Sequence, residues 1–111
     1  MVESPFDVEI RVGEVREAES FPEANKSKMT KLWIDLGDGD GQRQSAAQLD
    51  HHYEPDDLEG RRVLCATNLG SVRIAGFESE VLTVGVPDEK GYPVLVEPDR
   101  ERAVPLGGPL F

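Results

Sequence analysis

Short runs in which apolar and polar residues alternate recur along this chain of 111 residues and restrict it to a fold built from strands. Alternation with a period of two places one set of side chains on each face of a strand. The predicted strands cover residues 8–12, 32–36, 42–49, 62–68, 80–86 and 92–96. Residues 55–60 begin with proline and acids and end at glycine, a pattern typical of a short helix.

Glycine-containing segments interrupt or connect these strands. Gly13 favours a bulge or bend in the first strand, because Val15 continues the apolar set with its parity shifted. Residues 37–41 predict a turn between the second and third strands, and the shortage of further ligands argues against a calcium loop there. Residues 70–77 predict a loop between two later strands.

Up to residue 86, the order of these elements is three strands, a short helix and two further strands, which is the order of the OB-fold. We therefore predict an all-β chain that forms a five-stranded barrel, with one short helix between strands 3 and 4, as a single domain over residues 1–111. An open sandwich is the alternative that periodicity leaves. Residues 104–111 form a C-terminal extension, apolar and rich in Pro and Gly, that needs a surface to pack on, its own barrel or a partner's.

Charge is distributed unevenly along the chain. It has 22 Asp and Glu against 12 Lys and Arg, a formal net charge of −10. Residues 24–34, 41–49 and 60–77 contain no acid, but they hold Lys26, Lys28, Lys31, Arg43, Arg61, Arg62 and Arg73. This pattern favours one surface kept clear of acids for a negatively charged partner, although buried strands also exclude acids. The acidic remainder resembles proteins of salt-loving organisms, with an ordinary acidic mesophilic protein as the alternative.

Neither catalysis nor metal binding is indicated by the residues. Ser45 would need a histidine base, but the adjacent His51 and His52 point in different directions and nothing shows either reaching it. Together with Cys65 they fit no usual metal-ligand spacing, and the apolar neighbours of Cys65 predict a buried, inert thiol. We predict a protein that is not an enzyme and uses no cofactor or metal.

The compartment is predicted from what the sequence lacks. The first residues have acids and no basic or apolar segment typical of a signal peptide, and no apolar run reaches the length of a membrane span. We therefore predict a soluble, cytoplasmic protein with no membrane partner.

Polar side chains near the predicted turns supply the candidate binding residues. The lysines at positions 26, 28 and 31 can project toward one groove, and the Asn25 amide can reach a phosphate or a base edge. Arg73 lies in the predicted loop 70–77, which in an OB barrel is at one end of the binding face. A solvated loop and a plain connection are the alternatives for these two segments.

Motifs over residues 6–111 resemble the CsaA-type branch of the tRNA-binding-domain family. The most specific are Ile10-Arg11-Val12-Gly13, Asn25-Lys26, Ser45 with Gln48, Asn68, and residues 76–79. Members of this family occur as free proteins and as appendices on methionyl- and phenylalanyl-tRNA synthetases. The resemblance implies an OB-fold core, a homodimer and no catalytic activity.

The resemblance also implies two ligands. In the tRNA-binding branch, positions like Asn25, Lys26 and Ser79 face the tRNA, which is recognised by its structure. In the CsaA branch the same region forms a groove for extended peptides of unfolded, pre-export proteins. We predict tRNA as the ligand, with such polypeptides as the alternative, held by apolar residues such as Met29, Trp33 and Phe77. The predicted RNA-binding residues are Asn25, Lys26, Lys28, Lys31, Ser45, Gln48, Asn68, Arg73 and Ser79.

Overall fold

The structure, a computed structural model, describes residues 7–24 and 29–111. Strands dominate these residues, and both helices are single turns. In chain order the elements are β1 (Ile10–Ser20), β2 (Thr30–Asp35), α1 (Gly37–Asp40), β3 (Gln42–Ala47), α2 (Pro55–Leu58), β4 (Arg62–Ala66), β5 (Val72–Ile74), β6 (Phe77–Ser79), β7 (Leu82–Thr83), β8 (Gly85–Pro87) and β9 (Pro93–Leu95).

Five strands form one antiparallel sheet in the order β3-β2-β1-β4-β7. The sheet curls until β3 approaches the segment before β7, where the N–H groups of Glu80 and Val81 donate to the Gln44 carbonyl oxygen at 2.8 and 3.3 Å. The result is a nearly closed barrel, with β5–β6 and β8–β9 as separate hairpins. The predicted all-β, OB-like barrel is confirmed, as is the short helix α2 between its third and fourth strands.

The core lies inside the barrel and follows the predicted alternation. In β2, Leu32 and Ile34 are fully buried, whereas Lys31 and Trp33 face outward. Leu58, at the end of α2, is also fully buried and joins the same cluster. Each such side chain contributes about 1.5–3 kcal/mol when it is removed from water, so the inward face of the strands and α2 holds the barrel together.

The predicted bulge at Gly13 is wrong, and the structure gives the glycine a different role. Gly13 pairs in regular register with Val63, and the irregularity lies between Val15 and Glu17. A Cβ atom at Gly13 would come within 2.4 Å of the Ile34 side chain. Glycine is therefore required because a core side chain approaches the backbone, not because the strand bends there.

Two predicted connections contain regular structure. Residues 37–40 of the predicted turn form the single helical turn α1, closed by a bond from the Gly41 N–H to the Gly37 oxygen. Residues 70–77, predicted as a loop, hold β5 and the first residue of β6. Strands of three residues are too short for alternation to reveal them, so the loop prediction failed there for lack of a pattern.

The C-terminal extension packs on its own barrel. The Val12 N–H donates to the Gly108 oxygen at 3.0 Å, and the N–H groups of Gly107 and Leu110 donate to oxygens of β1 at 2.8 Å. Since β4 occupies the other edge of this part of β1, the extension covers the edge that remains. The first of the two predicted surfaces is thus the one used.

Candidate nucleic-acid interface

The outward side chains of β2 and β3 form a continuous surface, called here the β2 face. It consists of Lys31 and Trp33 on β2 and their register partners Ala46 and Gln44 on β3. The period of two places these residues outside because their neighbours in sequence fill the core. The face therefore presents a cation, an indole ring and an amide side by side.

The β5–β6 hairpin folds over one end of the β2 face through aromatic contacts. The Phe77 ring meets Phe21 at 5.5 Å and Trp33 at 5.7 Å between centroids, both edge to face. Ile74 and Phe77 also pack against a buried cluster that includes Met29 and the small side chain of Ala46. Such aromatic pairs add about 0.5–1.5 kcal/mol each beyond the burial of area, so the hairpin is firmly placed.

Lys31 lies at this aromatic junction. Its ammonium nitrogen is 4.7 Å from the Phe21 centroid and 5.3 Å from the Phe77 centroid. The negative faces of the rings attract the ammonium group and hold it over the hairpin. Phe21 is buried, whereas Phe77 and Trp33 are partly exposed. A positioned cation beside partly exposed rings is the combination that single-stranded nucleic-acid sites use for phosphates and bases.

Arg73 and Gln48 are also exposed to solvent. The Arg73 side chain, on β5, is 66% exposed and pairs with Glu78 at 3.2 Å. Gln48 is exposed just beyond β3. Because an exposed ion pair contributes little, the Arg73 guanidinium can exchange Glu78 for another anion at small cost.

Ser45 and Ser79 both use their hydroxyl groups inside the protein. Ser45 is fully buried, with its Oγ 2.9 Å from Thr83 Oγ1. Ser79 Oγ accepts the Ala46 N–H at 3.0 Å and donates to the Val81 oxygen at 3.3 Å. These bonds join β3 to the segment around β7 where the ladder is incomplete, so both serines close the barrel.

Asn68 is engaged in a similar way at the start of β1. Its Oδ1 accepts the Glu9 N–H at 2.9 Å, and its Nδ2 donates to the Asp7 oxygen at 3.3 Å. The amide thus anchors the residues that precede β1. The predicted contact residues Asn25, Lys26 and Lys28 lie outside the described residues, but their neighbours Ala24 and Met29 belong to the cluster beneath the hairpin.

The cations of the acid-free stretches do not share one surface. Arg61 pairs with Glu97 at 3.5 Å and Arg62 with Glu14 at 3.3 Å. Both arginines line a separate cavity of about 420 Å³ between α2 and residues 97–104. The prediction of a single acid-free patch is wrong for these two residues, since folding brings acids from distant parts of the chain beside them.

A second, apolar groove of about 550 Å³ lies at the C-terminal end of β3, next to the cluster beneath the β5–β6 hairpin. It is bordered by Met29 and Ile74 on one side and by the β8–β9 hairpin on the other. Leu82 and Val86, which line it, are each 51% exposed. Large apolar side chains left half in water mark a surface suited to another chain.

The histidines form a polar contact between two loops. His52 Nε2 lies 2.7 Å from Asp88 Oδ2, and His51 stacks on Tyr92 at 3.8 Å. Ser45 bonds to Thr83 instead, so the structure does not bring a histidine base to it. Within residues 7–24 and 29–111, no group of three or more metal-ligating side chains is assembled, and no helix is long and apolar enough to cross a membrane.

Comparison with known proteins agrees with this geometry. The family model described as a putative tRNA binding domain matches residues 10–107. The chain belongs to this family. It is 37% identical over 107 residues to the methionine–tRNA ligase of Methanothrix thermoacetophila, covering 93% of this chain and 15% of the ligase. It is 35% identical over 94 residues to that of Methanocaldococcus jannaschii, covering 85% of this chain and 14% of the ligase.

Two solved structures of about the same length are also similar. The CsaA chaperone of Bacillus anthracis has a TM-score of 0.85 and 36% identity, over 94% of this chain and 91% of its own. The CsaA chaperone of Picrophilus torridus has a TM-score of 0.84 and 33% identity, over 95% and 92%. The resemblance to the CsaA-type branch is confirmed, while the chain spans only about one seventh of the ligases it matches.

Aromatic residues are what sequence reasoning undervalued in this site. Trp33 and Phe77 were expected only as the lining of a peptide groove, and Phe21 only as part of a turn. Their convergence depends on the hairpin folding over β2, which no local pattern predicts. One sequence feature does indicate an aromatic surface: Trp33 occupies an outward position in a strand whose inward residues are already apolar.

Proposed function

We propose that this protein binds tRNA on the β2 face. The observation that carries the proposal is the Lys31 ammonium group held over Phe21 and Phe77, beside the half-buried ring of Trp33. Membership of the tRNA-binding domain family supports the same ligand. A positioned cation beside an accessible ring suits a phosphate next to an unpaired base.

Each group has a role in this proposal. Lys26, Lys28, Lys31 and Arg73 neutralise phosphates, and Asn25 and Gln48 hydrogen-bond to sugars or base edges. Trp33 stacks on one unpaired base, a contact worth about 1–3 kcal/mol in proteins of this kind. Ser45, Asn68 and Ser79 serve indirectly, because they hold β1 and β3 in place.

The test is a salt titration of tRNA binding by the wild type and by the variant K26Q/K28Q/K31Q. Each lost phosphate contact removes about 0.7–0.9 from the slope of log affinity against log salt, so we expect weaker binding and a flatter slope. Lys90→Gln, in the turn of the β8–β9 hairpin, is the matched control and leaves binding unchanged. Equal effects of the two changes mean that net charge governs binding, and no effect of the triple variant at low salt removes the proposal.

A second candidate function is binding of extended, unfolded or pre-export polypeptides, and the apolar groove favours it. Its lining from Met29 to Val86 offers apolar contacts along an extended chain. Such binding depends little on salt, unlike binding of RNA. A titration with a chemically unfolded protein at several salt concentrations, with L82S/V86S as the variant, separates the two ligands.

We also propose that the protein is a homodimer in which this groove is the contact, an arrangement that excludes a polypeptide from the same groove. The support is the half-exposed pair Leu82 and Val86, since the C-terminal extension is already packed on its own barrel. Sedimentation at micromolar concentration tests the state. A dimer that L82S/V86S converts to a monomer supports the contact, whereas a wild-type monomer contradicts it.

A further inference from the structure

The strand beside the β2 face carries two acids that face the same way as Lys31 and Trp33. The register of β1 and β2 places Glu19 opposite Lys31 and Glu17 opposite Trp33. Both carboxylates are exposed. On the other side of β2, the register partners are the uncharged Ala46 and Gln44. The β2 face is therefore bordered by exposed carboxylates on its β1 side. On the β3 side, by contrast, the Glu80 carboxylate accepts the Gln44 N–H at 3.0 Å, and the Glu78 carboxylate pairs with Arg73 at 3.2 Å.

The carboxyl groups of Glu17 and Glu19 are close enough to affect each other's ionisation. The pKa of Glu17 is raised, first by a hydrogen bond with Glu19, then by burial and by the charges of Glu19 and Glu59. Asp35, which also faces outward farther along β2, shows the opposite behaviour, because a hydrogen bond from Arg16 lowers its pKa. The negative charge of Asp35 is thus balanced by Arg16, whereas the two carboxyl groups of Glu17 and Glu19 lie together on the strand beside Lys31.

We propose that Glu17 and Glu19 are specificity-determining residues that keep nucleic-acid phosphates off the β1 side of the β2 face. The inference rests on the proposed binding of tRNA. A phosphate on Lys31 is attracted by the ammonium group and repelled by the neighbouring carboxylates, so a bound strand is confined to the side formed by β3 and the β5–β6 hairpin.

This confinement selects the kind of RNA that binds. Adjacent strands lie about 4.8 Å apart, so a ligand that extends from β2 across β1 meets the carboxylates within one strand spacing, whereas a single nucleotide strand can follow β2 without crossing β1. A duplex covers β1 as well and brings a second phosphate backbone near the acids. Unpaired loops and ends of tRNA are therefore accepted, while paired stems are disfavoured.

The experiment compares the wild type with E17Q/E19Q, using tRNA and a blunt RNA duplex as probes. Removing two repulsive charges tightens tRNA binding by about three- to tenfold at low salt, and binding of the duplex by more. The gain shrinks at high salt, because the exposed charges are then screened. Both carboxylates are exposed, so the melting temperature should stay close to that of the wild type.

The control is E89Q/E101Q, which removes the same charge at exposed positions in the β8–β9 turn and in residues 97–104. An equal gain in this control overturns the inference in favour of net charge. Unchanged or weaker tRNA binding by E17Q/E19Q, with the wild type binding normally, overturns the inference and leaves the proposed function standing. If neither the wild type nor E17Q/E19Q binds tRNA at low salt, the inference and the proposed function are both overturned.

Discussion

The two hairpins outside the barrel are attached by different chemistry. The β5–β6 hairpin is held by rings, through Phe77 on Phe21 and Trp33. The β8–β9 hairpin combines one ring stack, Tyr92 on His51 at 3.8 Å, with polar bonds: Asp88 meets His52, and the Tyr53 hydroxyl oxygen accepts the Leu95 N–H at 3.1 Å. One hairpin supports the cationic β2 face, and the other borders the apolar groove.

The difference predicts that the hairpins respond to different conditions. The contacts of the Phe77 ring with Phe21 and Trp33 have no titrating group, whereas Asp88 accepts its hydrogen bonds more strongly when its carboxyl group is ionised. The pKa of Asp88 is lowered, first by the Tyr92 N–H and further by His52 and Lys90. A lowered pKa means that this contribution is present above the ordinary value and is lost as pH falls through the lowered one. Acid should therefore loosen β8–β9 before β5–β6.

The largest effect is expected from Phe77→Ala, which removes the ring shared by both aromatic contacts. Truncation of a fully buried phenylalanine to alanine lowers the free energy of unfolding by about 3–5 kcal/mol. Because Phe77 is only half-buried, we expect a loss of about 2–3 kcal/mol, measured by urea unfolding. Binding of tRNA should fall at least tenfold, since Lys31 loses its platform. Val86→Ala, on the other hairpin, is the control, and an unchanged stability of the Phe77 variant would show that the rings do not anchor β5–β6.

Ser45→Ala tests the contact between β3 and β7, the short strand that lies between the two hairpins in the chain. The change leaves the buried Thr83 hydroxyl without its partner at 2.9 Å, which costs about 1–2 kcal/mol. The double variant S45A/T83V should be less destabilised than the sum of the two single changes. Additive losses would mean that the two hydroxyl groups do not act as a pair.

Asp88→Asn should act on one hairpin only. Asp88 Oδ1 accepts the N–H groups of Lys90 and Tyr92 at 2.8 and 2.9 Å, and an amide is a weaker acceptor than a carboxylate. Hydrogen exchange at these two positions should accelerate several-fold at neutral pH, while β5 and β6 keep their protection. In the wild type the same acceleration should appear only below about pH 4, and equal changes in both hairpins would contradict their independence.

The smallest effect on binding is expected at Cys65, which is fully buried in the core of the barrel. Burial raises the pKa of its thiol to about 12, so an aromatic disulfide reagent at pH 8 should react only as fast as the protein unfolds. Cys65→Ser should lose some stability by burying a hydroxyl, and His51→Ala should lose little, with tRNA binding intact in both. Rapid reaction of the native thiol would show that this part of β4 opens.

Local patterns were sufficient for the barrel and for part of the site. Alternation in β2 placed Leu32 and Ile34 inside, which by itself put Lys31 outside. Proline and acids before Leu58 predicted α2, and the apolar neighbours of Cys65 predicted its burial. These features depend on residues within a few positions of one another, so the sequence by itself determines them.

Only the tertiary structure decided which groups meet. Arg61 and Arg62 do not belong to an acid-free surface, because Glu97 and Glu14 pair with them from other parts of the chain. The register of β1 with β2 likewise places Glu19 beside Lys31. The hydroxyl groups of Ser45 and Ser79 connect β3 to the segment around β7, because the backbone ladder between these strands is incomplete. The physical reason is that side-chain direction follows from the local period, whereas register and edge satisfaction depend on strands that are distant in the chain.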